Sequence, residues 1–124
     1  MDKNEFKSYR IRMDKTQKQM AQLLGTSLKA VHSYEQGWRT IPPAVERQML
    51  FLFSRKNNSA RNRTPCWKLK NCPSERKKQC PAWEFKSGNL CWFINGTICD
   101  GSIHDNWKEK MKICRSCDVF TRIF

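Results

Sequence analysis

Long apolar runs are missing from this 124-residue chain. None approaches the ~20 apolar residues that a helix needs to cross a bilayer. The opening stretch MDKNEFKSYR lacks the apolar segment of a secretory leader. A membrane or exported protein is therefore not expected; a cytoplasmic one is, in a compartment that keeps thiols reduced. Acidic residues are scarce as well. Eleven Asp+Glu stand against 24 Lys+Arg, for a formal net charge of +13. Both halves share the excess, with 11 basic to 5 acidic residues in 1–60 and 13 to 6 in 61–124. Such a balance favours polyanions, nucleic acid before an anionic membrane; solubility is the plainer use of the same charge. No hydrolytic triad, phosphate-binding loop or paired-carboxylate site is present, so no enzyme is expected. Cysteine is absent from residues 1–65; all seven lie in 66–117, with four of the five tryptophans. That shift in composition marks a domain boundary.

What is there begins with helix signals. Asp2-Lys3-Asn4-Glu5 fits a capping box, and Phe6, Tyr9 and Met13 follow at helical spacing, predicting a helix from Lys3 to about Arg12. Thr16-Gln17-Lys18-Gln19 is a second capping box. Met20, Leu23 and Leu24, with Ala21 beside them, form the inward stripe of that helix, and Gly25 ends it. Thr26 or Ser27 caps the next helix, where Val31 and Tyr34 face inward. Leu28, Lys29, His32, Ser33 and Gln36 make the outward stripe, small, polar or basic, as a surface reading base edges and phosphates must be. Gly37 stops it and Trp38-Arg39-Thr40 loops. Pro42 and Pro43 set the first turn of a fourth helix, whose stripe is Val45, Met49, Leu52 and Phe53 and which ends near Arg55.

The ordering T-Q-x-x-x-A-x-x-x-G-x-S-x-x-x-V-x-x-Y-E-x-G over residues 16–37 resembles the phage-repressor class of helix-turn-helix DNA-binding domains. Thr16, Gln17, Ala21, Gly25, Ser27, Val31, Tyr34, Glu35 and Gly37 carry the likeness. It implies a mainly α, four-helix DNA-binding domain over residues 1–56. Gln17 would then meet a phosphate at a positive helix end. Ser27 and the residues after it, Leu28, Lys29, His32 and Ser33, would face the bases. Gln36, Trp38 and Arg39 would touch the backbone. Leu28 stands where a polar residue is often seen, and suits a thymine methyl. A protein-binding or antitoxin-like module is the alternative use of the same four helices. One such domain grips DNA weakly, so a homodimer on a two-half-site duplex is expected.

Residues 57–65 read as a basic linker, in which Arg61 and Arg63 would either add phosphate contacts or simply be solvated. Beyond them, residues 66–124 are too few to hold together by apolar burial alone. The seven cysteines are Cys66, Cys72, Cys80, Cys91, Cys99, Cys114 and Cys117. An odd number cannot pair completely, so a bound metal or cluster is the expected substitute, through at least four of these thiolates. Cys114-Arg115-Ser116-Cys117 has the spacing that lets two thiolates reach one ion. It follows a predicted helix over 105–113, capped by Asp105, with Trp107 and Met111 inward. Lys108, Lys110, Lys112 and Arg115 would favour nearby thiolates.

Asn95-Gly96 suits a type I′ turn, which pairs Ile94 with Thr97, Phe93 with Ile98 and Trp92 with Cys99. That register puts Cys91 and Cys99 on opposite faces, so that they would serve different sites or one would be a plain buried thiol. The remaining cysteine spacings are longer than those of zinc pairs. Cys72-Pro73 and Cys80-Pro81 carry the Cys-Pro step found beside iron–sulfur clusters. Four tryptophans are available to shield a cluster from water. His104 is the nearest histidine and reads as a surface residue. A 4Fe–4S cluster is favoured over zinc.

Two Cys-Trp pairs, 66–67 and 91–92, start a rough internal repeat. With Cys72, Cys80, Pro81, Ala82, Trp83, Gly96, Thr97, Cys99, Cys114 and Cys117 they resemble the bacterial "two-CW" domains, small cysteine-rich modules found alone or attached to regulatory proteins. The expectation is thus a helix-turn-helix transcription regulator joined to a small α+β iron–sulfur domain that senses redox state or oxygen. Two alternatives stay open: a regulator with a purely structural zinc, and a thiol–disulfide protein using Cys114 and Cys117.

Overall fold

The computed structural model describes residues 1–56 and 64–124. Arg61 and Arg63, the expected extra phosphate contacts, lie outside the described residues. The chain is mainly helical with one small two-stranded sheet. It divides into two compact units, Met1–Lys56 and Asn57–Phe124. Among the described residues no helix is long and apolar enough to cross a membrane.

The first unit contains α1 (Lys3–Arg12), α2 (Gln17–Leu24), α3 (Leu28–Gln36) and α4 (Pro43–Lys56). Side chains satisfy the free N–H groups where the first three begin. Asp2 accepts from the Glu5 N–H at 2.8 Å. Thr16 and Gln19 cap reciprocally, at 3.1 and 2.9 Å. Ser27, rather than Thr26, accepts from the Ala30 N–H at 3.0 Å. Gly25 and Gly37 end α2 and α3 with φ of +66° and +78°, a left-handed backbone that glycine adopts without a Cβ clash.

Phe6, Tyr9, Met13, Met20, Ala21, Leu24, Val31, Tyr34, Met49 and Phe53 are buried. Phe6 meets Tyr34 edge-on at 5.7 Å, and Tyr9 meets Phe53 at 5.0 Å. Several positions depart from expectation. Leu23 is exposed, because Ala21 and Leu24 set the arc of α2 that packs. On α4 Leu50 is buried, while Val45 and Leu52 of the expected stripe are only half-buried. Ser33 is buried at 6 % exposure, because α3 packs against both α1 and α2, which widens its inward arc.

Under that packing lies a polar network. The Arg10 guanidinium donates in a fork to Glu35, Nε to Oε2 at 3.0 Å and Nη2 to Oε1 at 2.8 Å. Its Nη1 reaches the Lys15 carbonyl at 2.7 Å, and Gln17 Nε2 donates to Glu35 Oε2 at 3.1 Å. One buried carboxylate thereby ties α1, α2 and α3 together.

The second unit runs α5 (Cys66–Leu69), α6 (Ser74–Gln79), α7 (Pro81–Glu84), β1 (Thr97–Cys99), β2 (Ser102–His104), α8 (Trp107–Cys114) and α9 (Asp118–Thr121). The sheet is antiparallel, pairing Thr97 with His104, Ile98 with Ile103 and Cys99 with Ser102. The hairpin expected at Asn95-Gly96 is therefore displaced. Its turn is Asp100-Gly101, both with positive φ (+53° and +82°), as a type I′ turn demands. Gly96 instead sits at the open end of the ladder, its N–H on the His104 carbonyl at 2.7 Å. Of the apolar residues before it, Trp92 goes into the core rather than into a strand, while Phe93 and Ile94 are half-buried. Trp92 is fully buried against Phe93, Phe120 and Phe124. The α8 cap is Asn106, not Asp105, accepting from the Glu109 N–H at 3.1 Å. Trp107 and Met111 are buried on α8 as the spacing predicts.

Two substitutions probe these units. Arg10→Met strands Glu35 without its cation, and removing one partner of a buried pair costs roughly 3–5 kcal/mol; chemical denaturation of the full chain should show the first transition weakened by that order. At Gly88 a Cβ would fall 2.4 Å from Pro65 Cβ and 2.9 Å from Trp67 Cζ3. Gly88→Ala should therefore destabilise the second unit by about 1–3 kcal/mol, the usual cost of overpacking, read from its own melting transition.

Candidate functional site

On the first unit the expected DNA-facing residues fall into two groups. Leu28, Lys29, His32, Gln36, Trp38 and Arg39 are exposed, and Ser27, the α3 cap, is exposed at the edge. The Trp38 ring is 71 % exposed and stands edge-on to His32 at 5.4 Å. Together they make an open basic and aromatic surface along α3 and the loop after it. Ser33 does not belong to this surface. Gln17 is half-buried with its side-chain amide spent on Glu35, so the free donors at the start of α2 are backbone N–H groups.

In the second unit a cavity of ≈ 40 Å³ is lined by five cysteines, Cys66, Cys72, Cys80, Cys91 and Cys99. One water takes about 10–15 Å³ by that measure, so the space holds a few water-sized groups. The thiols come from separate stretches of chain. Cys66 opens α5, Cys80 precedes α7, and Cys99 ends β1. Both Cys91 and Cys99 line the cavity, and the pairing of Trp92 with Cys99 that would put them on opposite faces is not formed. Cys80, Cys91, Ala82 and Val119 form a buried cluster, with Cys66, Leu69, Ile98 and Cys117 packed on it. Sulfur is thus part of the core as well as of the cavity wall.

Hydrogen bonds and charges act on these sulfurs. The Ile98 N–H donates to Cys80 Sγ at 3.3 Å. The Cys91 thiol donates to Cys66, which also accepts from backbone N–H groups; this lowers the Cys66 pKa and raises that of Cys91 well above the ordinary thiol value. Burial pushes Cys99 up from 9.0 to about 11, with Lys110 pulling the other way. Burial also raises Cys72, against Arg76 and Lys77.

Aromatic and basic side chains flank the thiols. Trp67 and Trp83 line the cavity and meet edge-on at 5.0 Å. Lys77 and Lys86 hold their ammonium groups 4.4 and 4.2 Å from the Trp83 ring centre. Of the four tryptophans expected to shield a cluster, these two line the cavity; Trp92 and Trp107 are buried elsewhere in the unit.

The Cys114–Cys117 pair is placed differently. Cys114 ends α8, Cys117 caps α9, and neither lines the cavity. Burial raises the Cys114 pKa, Lys110 opposing it. Lys112, expected near the thiolates, is exposed and paired with Glu109 at 3.1 Å. His104 is half-buried, with Nε2 on the Cys99 carbonyl at 3.2 Å. Among the described residues no group of three or more His, Cys, Asp or Glu side chains is placed so that it could hold a metal ion. Sulfur is the donor type that thiophilic metals prefer. Lys110, expected with Lys108, Lys112 and Arg115 to favour nearby thiolates, is buried, on the Trp107/Met111 side of α8.

A thiol whose pKa rises on folding holds its proton more tightly in the folded state, so stability falls where only the unfolded chain ionises. The metal-free second unit should be fully stable below pH 9.0 and lose melting temperature as pH rises towards about 11, the window set by Cys99. Thermal melts across that range, with chelator present, check the sign.

Compared with protein-family models, with curated proteins and with solved structures, the chain matches none.

Proposed function

We propose that the chain is a DNA-binding transcription regulator, acting as a homodimer, whose cysteine-rich unit holds a thiolate-bound metal centre that governs when DNA is bound. The observation that carries the DNA part is the exposed edge of α3 and its loop, Lys29, His32, Gln36, Trp38 and Arg39, set on a helix fixed from behind by Glu35. In this reading α2 and α3 are a helix-turn-helix, with α3 in the major groove. Lys29 and His32 face the bases, Gln36, Trp38 and Arg39 touch the backbone, and Leu28 packs against a thymine methyl. The Leu28 side chain is half-exposed, as that contact needs.

The convergence of five thiols on one cavity supports the metal part. Cys66, Cys72, Cys80, Cys91 and Cys99 are the ligand candidates, with Cys114 and Cys117 as the close pair beside them. When bound, a 4Fe–4S cluster would supply one-electron redox chemistry, and zinc a structural clamp. The residues themselves do the rest: the Ile98 N–H donates to one sulfur, and Trp67 and Trp83 limit water at the cavity wall. Cluster loss or oxidation would then change operator affinity. Structural zinc is the second reading, favoured by the small size of the cavity.

Selection from random duplexes should yield a preferred site. Arg39→Ala should weaken binding and lower the salt slope by about 0.9, the share of one phosphate, and Lys29→Ala should relax the sequence preference. Affinity for the selected site should differ between anaerobic and air-exposed protein. Failure to select any duplex sinks the DNA reading; equal affinity in both preparations sinks the sensing role.

A further inference from the structure

Two lysine ammoniums converge on one indole in the second unit. Lys77, on α6, and Lys86, just past α7, stand 4.4 and 4.2 Å from the centre of the Trp83 ring. Like charges on one ring repel, and among the described residues neither lysine has a carboxylate within ion-pair distance. Lys70, Arg76 and Lys77 line the cavity with Trp67 and Trp83. Among the described residues, the only ion pair these four cations make is that of Lys70 with Asp100, at 3.9 Å between exposed side chains. The stretch 66–86 carries six basic residues against two acidic ones, Glu75 and Glu84, both exposed.

Lys86 is held on Trp83 at a cost. Its φ is +53°, the left-handed backbone in which an ordinary Cβ is crowded. The other non-glycine residues with positive φ among those described, Asp14, Asn71 and Asp100, are of the two types that tolerate it best. Lys86 fills the place where glycine usually closes a helix: its N–H is on the Trp83 carbonyl at 3.1 Å, and the Ser87 N–H is on that of Ala82 at 2.8 Å. A glycine would close α7 without strain and leave Trp83 without this ammonium.

We infer that Lys70, Arg76, Lys77 and Lys86 form a second DNA-contacting surface, on the cysteine-rich unit, that takes the phosphate backbone of a duplex without reading its sequence. Arg76 and Lys77 are half-buried, Lys70 and Lys86 exposed, and they come from three stretches of chain. Such cations do not enclose one small anion, and any single contact among them is weakened by water and salt. A run of phosphates engages several at once, and the counter-ions released add up. The net charge of +13 is shared by both halves of the chain, so the second unit has its own attraction for a polyanion. This surface extends the DNA reading above, but it needs only a chain of phosphates, not base reading by α3.

The full chain, Lys77→Gln, Lys86→Gly and the double variant are titrated with a short duplex of random sequence over a range of salt. Each single variant should weaken binding and lower the salt slope by about 0.9, the share of one phosphate, and the double variant by both shares together. The site selected from random duplexes should stay that of the unsubstituted chain. Lys86→Gly relieves the left-handed backbone, so the second unit should melt no lower while binding falls. An unchanged salt slope in the double variant overturns the surface. So does a lower melting temperature in Lys86→Gly that accompanies the weaker binding, which would make the lysine a cover for Trp83. Capture of the chain by phosphatidylserine vesicles through these two lysines, with duplex binding untouched, overturns the choice of DNA. If no sequence is selected and the slope still falls, base reading by α3 fails and this surface stands; if a sequence is selected and the slope holds, the surface fails alone.

Discussion

A segment as short as residues 64–124 gains too little from apolar burial to hold one fold unaided, and this one places sulfur where a larger domain would place leucine. Cys80 and Cys91 are buried in the same cluster as Ala82 and Val119. A buried thiol packs as a small apolar group while it keeps its proton. Once ionised it needs a partner, and the fold offers Cys80 one in the backbone N–H of Ile98. The same atoms therefore serve as core in one protonation state and as donors in the other. Short helices and a three-residue hairpin suffice because the cavity, not a sheet or a bundle, is what the segments converge upon.

The first unit follows a different logic. Its helices are long enough to bury a regular apolar face, and their ends are closed by side chains and by two left-handed glycines. Glu35 is one of the polar residues buried inside it, with Ser33, Glu46 and Ser54. A buried carboxylate is tolerable when its oxygens are fully occupied, and here Arg10 and Gln17 occupy them. The effect is to fix α3 from its inner side and leave its outer side open. Gln17 then has a structural task that competes with any direct phosphate contact by its amide.

Much of this was legible in the residues. The α1 boundaries, the Thr16 capping box and the Gly25 and Gly37 stops follow from local chemistry that acts within four residues, and the structure places them where the spacing predicts. Ser33 and Leu23 were misplaced because a helical wheel does not say how many neighbours cover a helix. The hairpin was misplaced for a related reason. Asn95-Gly96 and Asp100-Gly101 carry equal turn propensity, and the choice is made by where Trp92 is buried. That error propagated to the cysteines, since strand register decides which face a thiol takes. The convergence of Cys66, Cys72, Cys80, Cys91 and Cys99 joins residues up to 33 positions apart in the chain, which no local pattern encodes. The Cys114–Cys117 spacing, the strongest local motif, points to a pair beside the cavity rather than to its wall.

The central claim is that these thiols converge in order to bind a metal centre. The measurement that bears on it most directly is the iron, sulfide, zinc and visible absorption of the full chain purified anaerobically. The account predicts a stoichiometric thiolate-bound centre, either a brown protein with iron and sulfide in equal amounts and broad absorption near ~400 nm, usual for such clusters, or a colourless one with zinc, and in both cases its loss when Cys66, Cys80 and Cys91 are replaced together in a chain whose first unit still folds. A chain that is stable, folded and free of iron, sulfide and zinc would contradict it.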